Sequence, residues 1–306
     1  MRVRASSRGT WAARIGVVGA LAVAAAACGS SGGASSSSSS STPTASLPPS
    51  QLLSDASAKL VSMTSFRFTG SGNVATPASA SAPSAGSTTV TPAGYATFTL
   101  SGAASIPEHL FEVTTSVHGL RITEIATQSD LYLHYPTVAT PNATATTWLE
   151  IPSSVLPIPT NSSAFASKVA AALRAAVKPQ PDGTATVDGQ TCTLVKATIS
   201  GSAMSQLLSA ADPSLASQAA STLDTVSAVI TAAINSAHEL VQVHEAVSTS
   251  AGVQVNLTIT YEDQNQPVSI TIPPSNEVEL ITSAGELSGV LGGSASTSAN
   301  QGASQG

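Results

Sequence analysis

Residues 253–261 read Val253-Gln254-Val255-Asn256-Leu257-Thr258-Ile259-Thr260-Tyr261. Every odd position is apolar and every even position is polar. Successive strand side chains point to opposite faces, so this period of two predicts an antiparallel strand with one buried and one wet face. The pattern recurs at Phe66 and Phe68, which alternate with Arg67 and Thr69, and at Phe111, Val113, Thr115 and Val117. Short apolar segments at 119–127, 130–135 and 147–151 extend the set, and a last strand is expected over 267–272, stopped by Pro273-Pro274.

Helical spacing appears in three blocks. A helix fits 50–62, with Ser50 as N-cap and Leu53, Ala56 and Leu60 on one side. Phe165, Val169, Leu173 and Ala176 make a stripe over 162–177, and Leu223, Val226, Ile230 and Ala233 make another over 214–236. Strands and helices together predict one α+β domain spanning 47–280.

The flanks are of another kind. Arg2, Arg4, Arg8 and Arg14 precede an apolar stretch from Ile15 to Ala27, the length of a secretory core and short for a bilayer span. It ends in Ala25-Ala26-Ala27-Cys28-Gly29, small residues before a cysteine, which resembles a bacterial lipobox. Residues 1–27 then form a lipoprotein signal peptide, and Cys28 is the lipidation site. The alternative is an ordinary signal peptide that ends near a cysteine. Cleavage before Cys28 removes four arginines and no acid, taking the net charge from −6 to −10. Residues 28–46, with serines from Ser35 to Ser41, read as a flexible tether, and 281–306 as a disordered tail.

Composition excludes whole classes of function. Of 306 residues, 9% are charged, against ~25% in an ordinary soluble domain. With 11 Lys+Arg against 17 Asp+Glu and no basic cluster, no nucleic-acid partner is expected. Two cysteines exclude a disulfide framework, and Cys192 reads as a small buried hydrophobe. The Ser/Thr/Pro-rich insertion 75–93 reads as a solvated hairpin loop or as an O-glycosylated stretch.

Motifs of catalytic appearance fail on spacing. Gly29-Ser30-Ser31-Gly32-Gly33 has the letters of a nucleophile elbow but lies in the tether, without its strand and helix. His238 and His244 are six apart, where a zincin helix needs four. His109, His118 and His134 are scattered along strands, and Glu239 and Glu245 are placed on one strand face with Val241 and Val243. No catalytic group, metal site or cofactor is assigned.

The order of elements carries a resemblance, with local passages to match. Ala58-Lys59-Leu60-Val61-Ser62 runs into Ser65-Phe66-Arg67-Phe68. Asp130-Leu131-Tyr132-Leu133 precedes Trp148-Leu149. Val187-Asp188-Gly189-Gln190-Thr191 leads to Leu194-Val195-Lys196-Ala197, and Pro267-Val268-Ser269-Ile270-Thr271 closes the series. Over most of 50–275 the chain resembles the actinobacterial LppX/LprA/LprF/LprG lipoprotein family. That resemblance implies a curved antiparallel half-barrel sheet with helices across its concave face, as in the LolA/LolB carriers. It implies a hydrophobic cavity for the acyl chains of a membrane lipid or glycolipid. Acylated Cys28 would anchor the protein on the extracytoplasmic face of the cell membrane, and a membrane transporter is a candidate further partner.

Phe66, Phe68, Phe111, Val113, Val253, Val255, Leu257 and Ile259 are the candidates for the inner face. They either line a lipid or pack against helices. Covering a 16-carbon chain requires roughly 12 kcal/mol of apolar contact, at ~0.8 kcal/mol per CH₂, which only a deep cavity supplies. The rival readings are a solid-cored surface scaffold and a sensory lipoprotein acting through a protein partner.

Overall fold

Leu52, Leu53, Ala56 and Leu60 recur at helical spacing and are buried on one side of α1 (Pro49–Ser62). Its start is set by Pro48 and Pro49, since proline at the first helical position loses no hydrogen bond there. Ser50, expected as the cap, therefore lies inside the first turn. The computed structural model describes residues 47–77, 79–80, 90–91, 94–134, 148–156, 176–201, 227–249 and 252–287. The signal segment, Cys28 and the tether lie outside the described residues, as do the core of the helix expected over 162–177 and residues 288–306. No helix among the described residues is long and apolar enough to cross a membrane.

The strands follow α1 in the order β1 (Ser65–Thr76), β2 (Ser79–Ala80), β3 (Val90–Thr91), β4 (Gly94–Ser105), β5 (Leu110–Val117), β6 (Leu120–Ala126), β7 (Asp130–His134) and β8 (Trp148–Pro152). The second half supplies β9 (Val177–Val187), β10 (Gln190–Ile199), β11 (Ser227–Ile234), β12 (Leu240–Ser248), β13 (Gln254–Glu262) and β14 (Val278–Leu280). All but β2 and β3 join one twelve-stranded sheet ordered β14-β8-β7-β6-β5-β4-β1-β13-β12-β11-β10-β9. The sheet is curved and open, antiparallel throughout except where β14 runs parallel to β8. β2 and β3 pair with each other within the insertion, which joins β1 to β4 as a long hairpin.

Curvature is built into the central strands by glycine. A Cβ on Gly102 would meet the Glu112 carbonyl oxygen at 2.0 Å and the Phe68 ring at 2.5 Å. On Gly72 it would meet the Phe98 ring at 2.4 Å. The missing side chains let aromatic rings lie flat across the neighbouring strand. Two-residue turns at His118-Gly119 and Asp188-Gly189 have positive φ at both positions, the geometry that matches strand twist in tight hairpins. The edge strand β9 carries Pro179 and Pro181, which an edge tolerates and which discourage further pairing.

Three expectations change. Residues 227–234 are strand β11, not helix: Ile230 pairs with Ala197 on one side and Glu245 on the other. Val177, the last residue of the helix expected over 162–177, instead opens β9, and Ala176 before it is buried; 162–175 lie outside the described residues. Residues 267–272 alternate as a strand should, but they form no ladder. Val268 and Ile270 instead pack on Ala103, Ile125, Tyr132 and Trp148 as the segment crosses the sheet towards β14. The domain also runs past 280, because Ile281 is fully buried against Leu149 and Ile151 and its N–H donates to the Glu150 carbonyl at 2.8 Å.

Candidate functional site

The ladder registers define the two faces residue by residue. On the inner face, one transverse row runs Ala197, Ile230, Glu245, Leu257, Gly72, Phe98, Val117, Leu120 from β10 to β6. A second runs Tyr261, Phe68, Gly102, Val113, Glu124, Leu133, Leu149 from β13 to β8. α1 lies over the β9–β12 half of this face. The Asp55 carboxylate meets His238 Nδ1 at 3.0 Å, linking the helix to the β11–β12 turn.

Most of the residues nominated from sequence gather in one cluster. Phe66, Phe68, Val113, Leu257 and Ile259 are buried there, and half-buried Phe111 and Val255 pack against them. The Phe68 and Phe111 rings stack with centroids 5.7 Å apart, and Phe66 meets Tyr261 edge-on at 5.7 Å. Val253 is not among them: it is half-buried and precedes β13.

Two residues that the sequence reading did not nominate stand out. Glu124 and Glu245 occupy inner-face positions where the alternation calls for apolar side chains. Each is half-buried, and neither has a hydrogen-bond or ion-pair partner among the described residues. Burial pushes both carboxyls up, Glu245 to about 7. The available signal was phase: Glu124 follows Leu120 and Ile122 at spacing two, and Glu245 sits between Val243 and Val247.

The sequence reading put Val241 on the face of Val243. A register shift at Ala233/Ile234 separates them, turning Val241 to the opposite side to pack with Val187, Cys192 and Ala233. Cys192 is buried there, and burial raises its thiol, which leaves it a packed hydrophobe. Glu239 lies in the turn, where its carboxylate accepts from Asn235 Nδ2 at 2.9 Å. His109, His118 and His238 occupy positive-φ turn positions, and His244 Nδ1 lies 3.1 Å from Thr258 Oγ1 on the outer face. No group of three metal-ligating side chains occurs among the described residues.

The outer face carries apolar patches under Ile270 and around Cys192, and between them it is polar. Its row, offset by one residue from the first inner one, runs Lys196, Thr231, His244, Thr258, Ser71, Thr99, Ser116, Arg121. Part of it lines an open groove of about 630 Å³, with Asn73, Thr97, His118 and Asn256.

No family model and no curated protein matches the chain. Among solved structures it is similar to LprF from Mycobacterium bovis, at 14% identity and a TM-score of 0.43, over 74% of this chain and 97% of that one. It is also similar to the Mycobacterium tuberculosis lipoprotein LppX, at 13% identity and a TM-score of 0.40, over 73% of this chain and 98% of that one.

Proposed function

We propose that this protein is an extracytoplasmic lipoprotein, anchored to the cell membrane through acylated Cys28. It holds the acyl chains of a membrane lipid or glycolipid against the inner face of its sheet and carries them within the envelope. It acts as a carrier and not as an enzyme, and it needs no cofactor. The supporting observation is the inner face itself, whose row from β10 to β6 is non-polar at every position but Glu245. Glu124 and Glu245 add to it. Side chains that water can touch, and that protein surrounds deeply enough to perturb, are those expected around an internal space.

The mechanism is exchange of one apolar environment for another. An acyl chain leaving the bilayer forfeits about 0.8 kcal/mol per CH₂ and regains it on the inner face, so transfer needs an opening rather than an energy source. α1 is the element placed to open, since it covers one half of that face and is held at its side by Asp55 and His238. A membrane transporter is the fitting partner for loading or receipt.

The test is native and then denaturing mass spectrometry on the full chain carrying Cys28→Ala, expressed in an actinobacterial host. A folded protein above its sequence mass that releases acyl lipids supports carriage and identifies the cargo class. A bare mass, with no uptake from liposomes, overturns it. One observation favours a second reading, a solid-cored surface scaffold or sensory lipoprotein acting through a protein partner: Phe66, Phe68, Val113, Leu257 and Ile259 are each at most 6% exposed. Phe111 is the half-buried member of the set, so Phe111→Asp separates the readings with least damage to the core. Loss of lipid from a folded variant supports lining, and unchanged retention supports the scaffold.

A further inference from the structure

Glu245 stands in a row of apolar neighbours, flanked across the ladders by Ile230 and Leu257 and along its own strand by Val243 and Val247. No backbone N–H, hydroxyl or cation among the described residues reaches its carboxyl group. Glu124 repeats the arrangement on the other half of the face, between Val113 and Leu133. A carboxyl group half-buried among apolar neighbours loses part of its hydration with no protein partner to replace it, which is costly. The cost is removed when something that enters the face brings a donor. A neutral carboxyl could satisfy itself by donating to a carbonyl, but an ionised one is acceptor-only. Burial holds Glu245 near the middle of its titration at neutral pH, so a donor on the ligand favours the ionised form.

We infer that the inner face selects amphiphiles whose buried portion carries a hydrogen-bond donor, a hydroxyl or an amine, and that Glu245 is the group that receives it, with Glu124 as a second acceptor on the opposite half. This rests on the proposed carrier function and specifies its cargo. Acyl chains alone need only apolar walls; a chain with a buried hydroxyl or amine needs an acceptor inside them.

The experiment uses the full chain with Cys28→Ala, delipidated, and three chain-matched probes: 1-dodecanol, dodecylamine and 1-methoxydodecane. Each is titrated against a bound pyrene-labelled acyl ester, and its displacement is read by fluorescence. The alcohol and the amine are expected to bind about ten- to a hundred-fold more tightly than the ether, the range for a hydrogen bond to a charged group. Glu245→Leu is expected to abolish most of that preference while leaving ether binding intact or improved. Its melting temperature reports whether it is folded, and Glu245→Gln serves as the shape-matched variant. Equal binding of all three probes, or a preference that survives both substitutions of Glu245, overturns the inference and leaves the carrier reading standing. Failure of every probe and of the pyrene ester to bind removes both. A gain for the amine alone identifies a cationic cargo, and a gain for both donors a hydroxylated one.

Discussion

Two rows of side chains one residue apart divide this sheet. The outer row presents lysine, histidine, arginine and five hydroxyls, while the inner row presents seven non-polar residues and one glutamate. The same eight strands make both rows, and backbone pairing is common to them. The comparison therefore isolates what burial adds. Substitutions on the inner row should be felt through packing, and those on the outer row scarcely at all.

The largest effect is expected at Phe66, which is fully buried at the centre of the inner cluster. Phe66→Ala should cost about 3–5 kcal/mol in chemical denaturation, the range for deleting a buried ring. A cost under about 1 kcal/mol would mean that the cluster is loosely packed. Glu245 probes the same face through pH. Its folded carboxyl titrates at about 7, above its ordinary value of 4.5, so the native state holds a proton that the unfolded state releases. Stability is therefore expected to fall as pH rises between those values, by up to about 3 kcal/mol, and to stay lower above them. Denaturant titrations at pH 5 and pH 8, with and without Glu245→Leu, isolate the contribution: the variant should lose most of the dependence, and an unchanged slope would assign it elsewhere.

Gly102 tests the curvature beneath that face. Gly102→Ala places a methyl against a carbonyl oxygen and the Phe68 ring, with an expected loss of about 1–3 kcal/mol from strain. A neutral result would show that β4 can flatten. The smallest effect is expected on the outer row: Thr99→Ala, at an exposed position, should change stability by no more than about 0.5 kcal/mol. A larger loss would reveal that the hydroxyl face is itself structural.

What the sequence made legible follows from the same division. Strands with a strong contrast between faces, such as 253–261 and 65–69, were readable because period two reports burial directly. β11 was not. Its sequence SAVITAAI is rich in alanine, the strongest helix former, and Ile230 with Ala233 also fits a helical step. Pairing on both sides decides its state, and a single strand carries no record of its neighbours. The run at 267–272 fails in the opposite direction. Alternation correctly marks Val268 and Ile270 as buried, but burial of a side chain does not require a paired backbone. The candidate site divides likewise. Phase identifies the apolar members of the inner face, whereas Glu124 and Glu245 carry charges that in sequence look solvent-facing, and only the flanking ladders place them on the inner face.

The ladder at the middle of the sheet sets the timing of assembly. β1, the first strand, is zipped along its length to β13, so that Thr69 Oγ1 donates to a Glu262 carboxylate 193 residues further along the chain. The turn that follows β13 is fastened to the start of β1 as well, through the Asn265 N–H and the Ser65 carbonyl at 2.7 Å. Hairpins on either side can form from neighbours, but the seam between the halves waits for nearly the whole chain. Such long-range closure folds slowly. Under the proposed export, a seam that cannot close early would keep the polypeptide threadable until its far end has arrived.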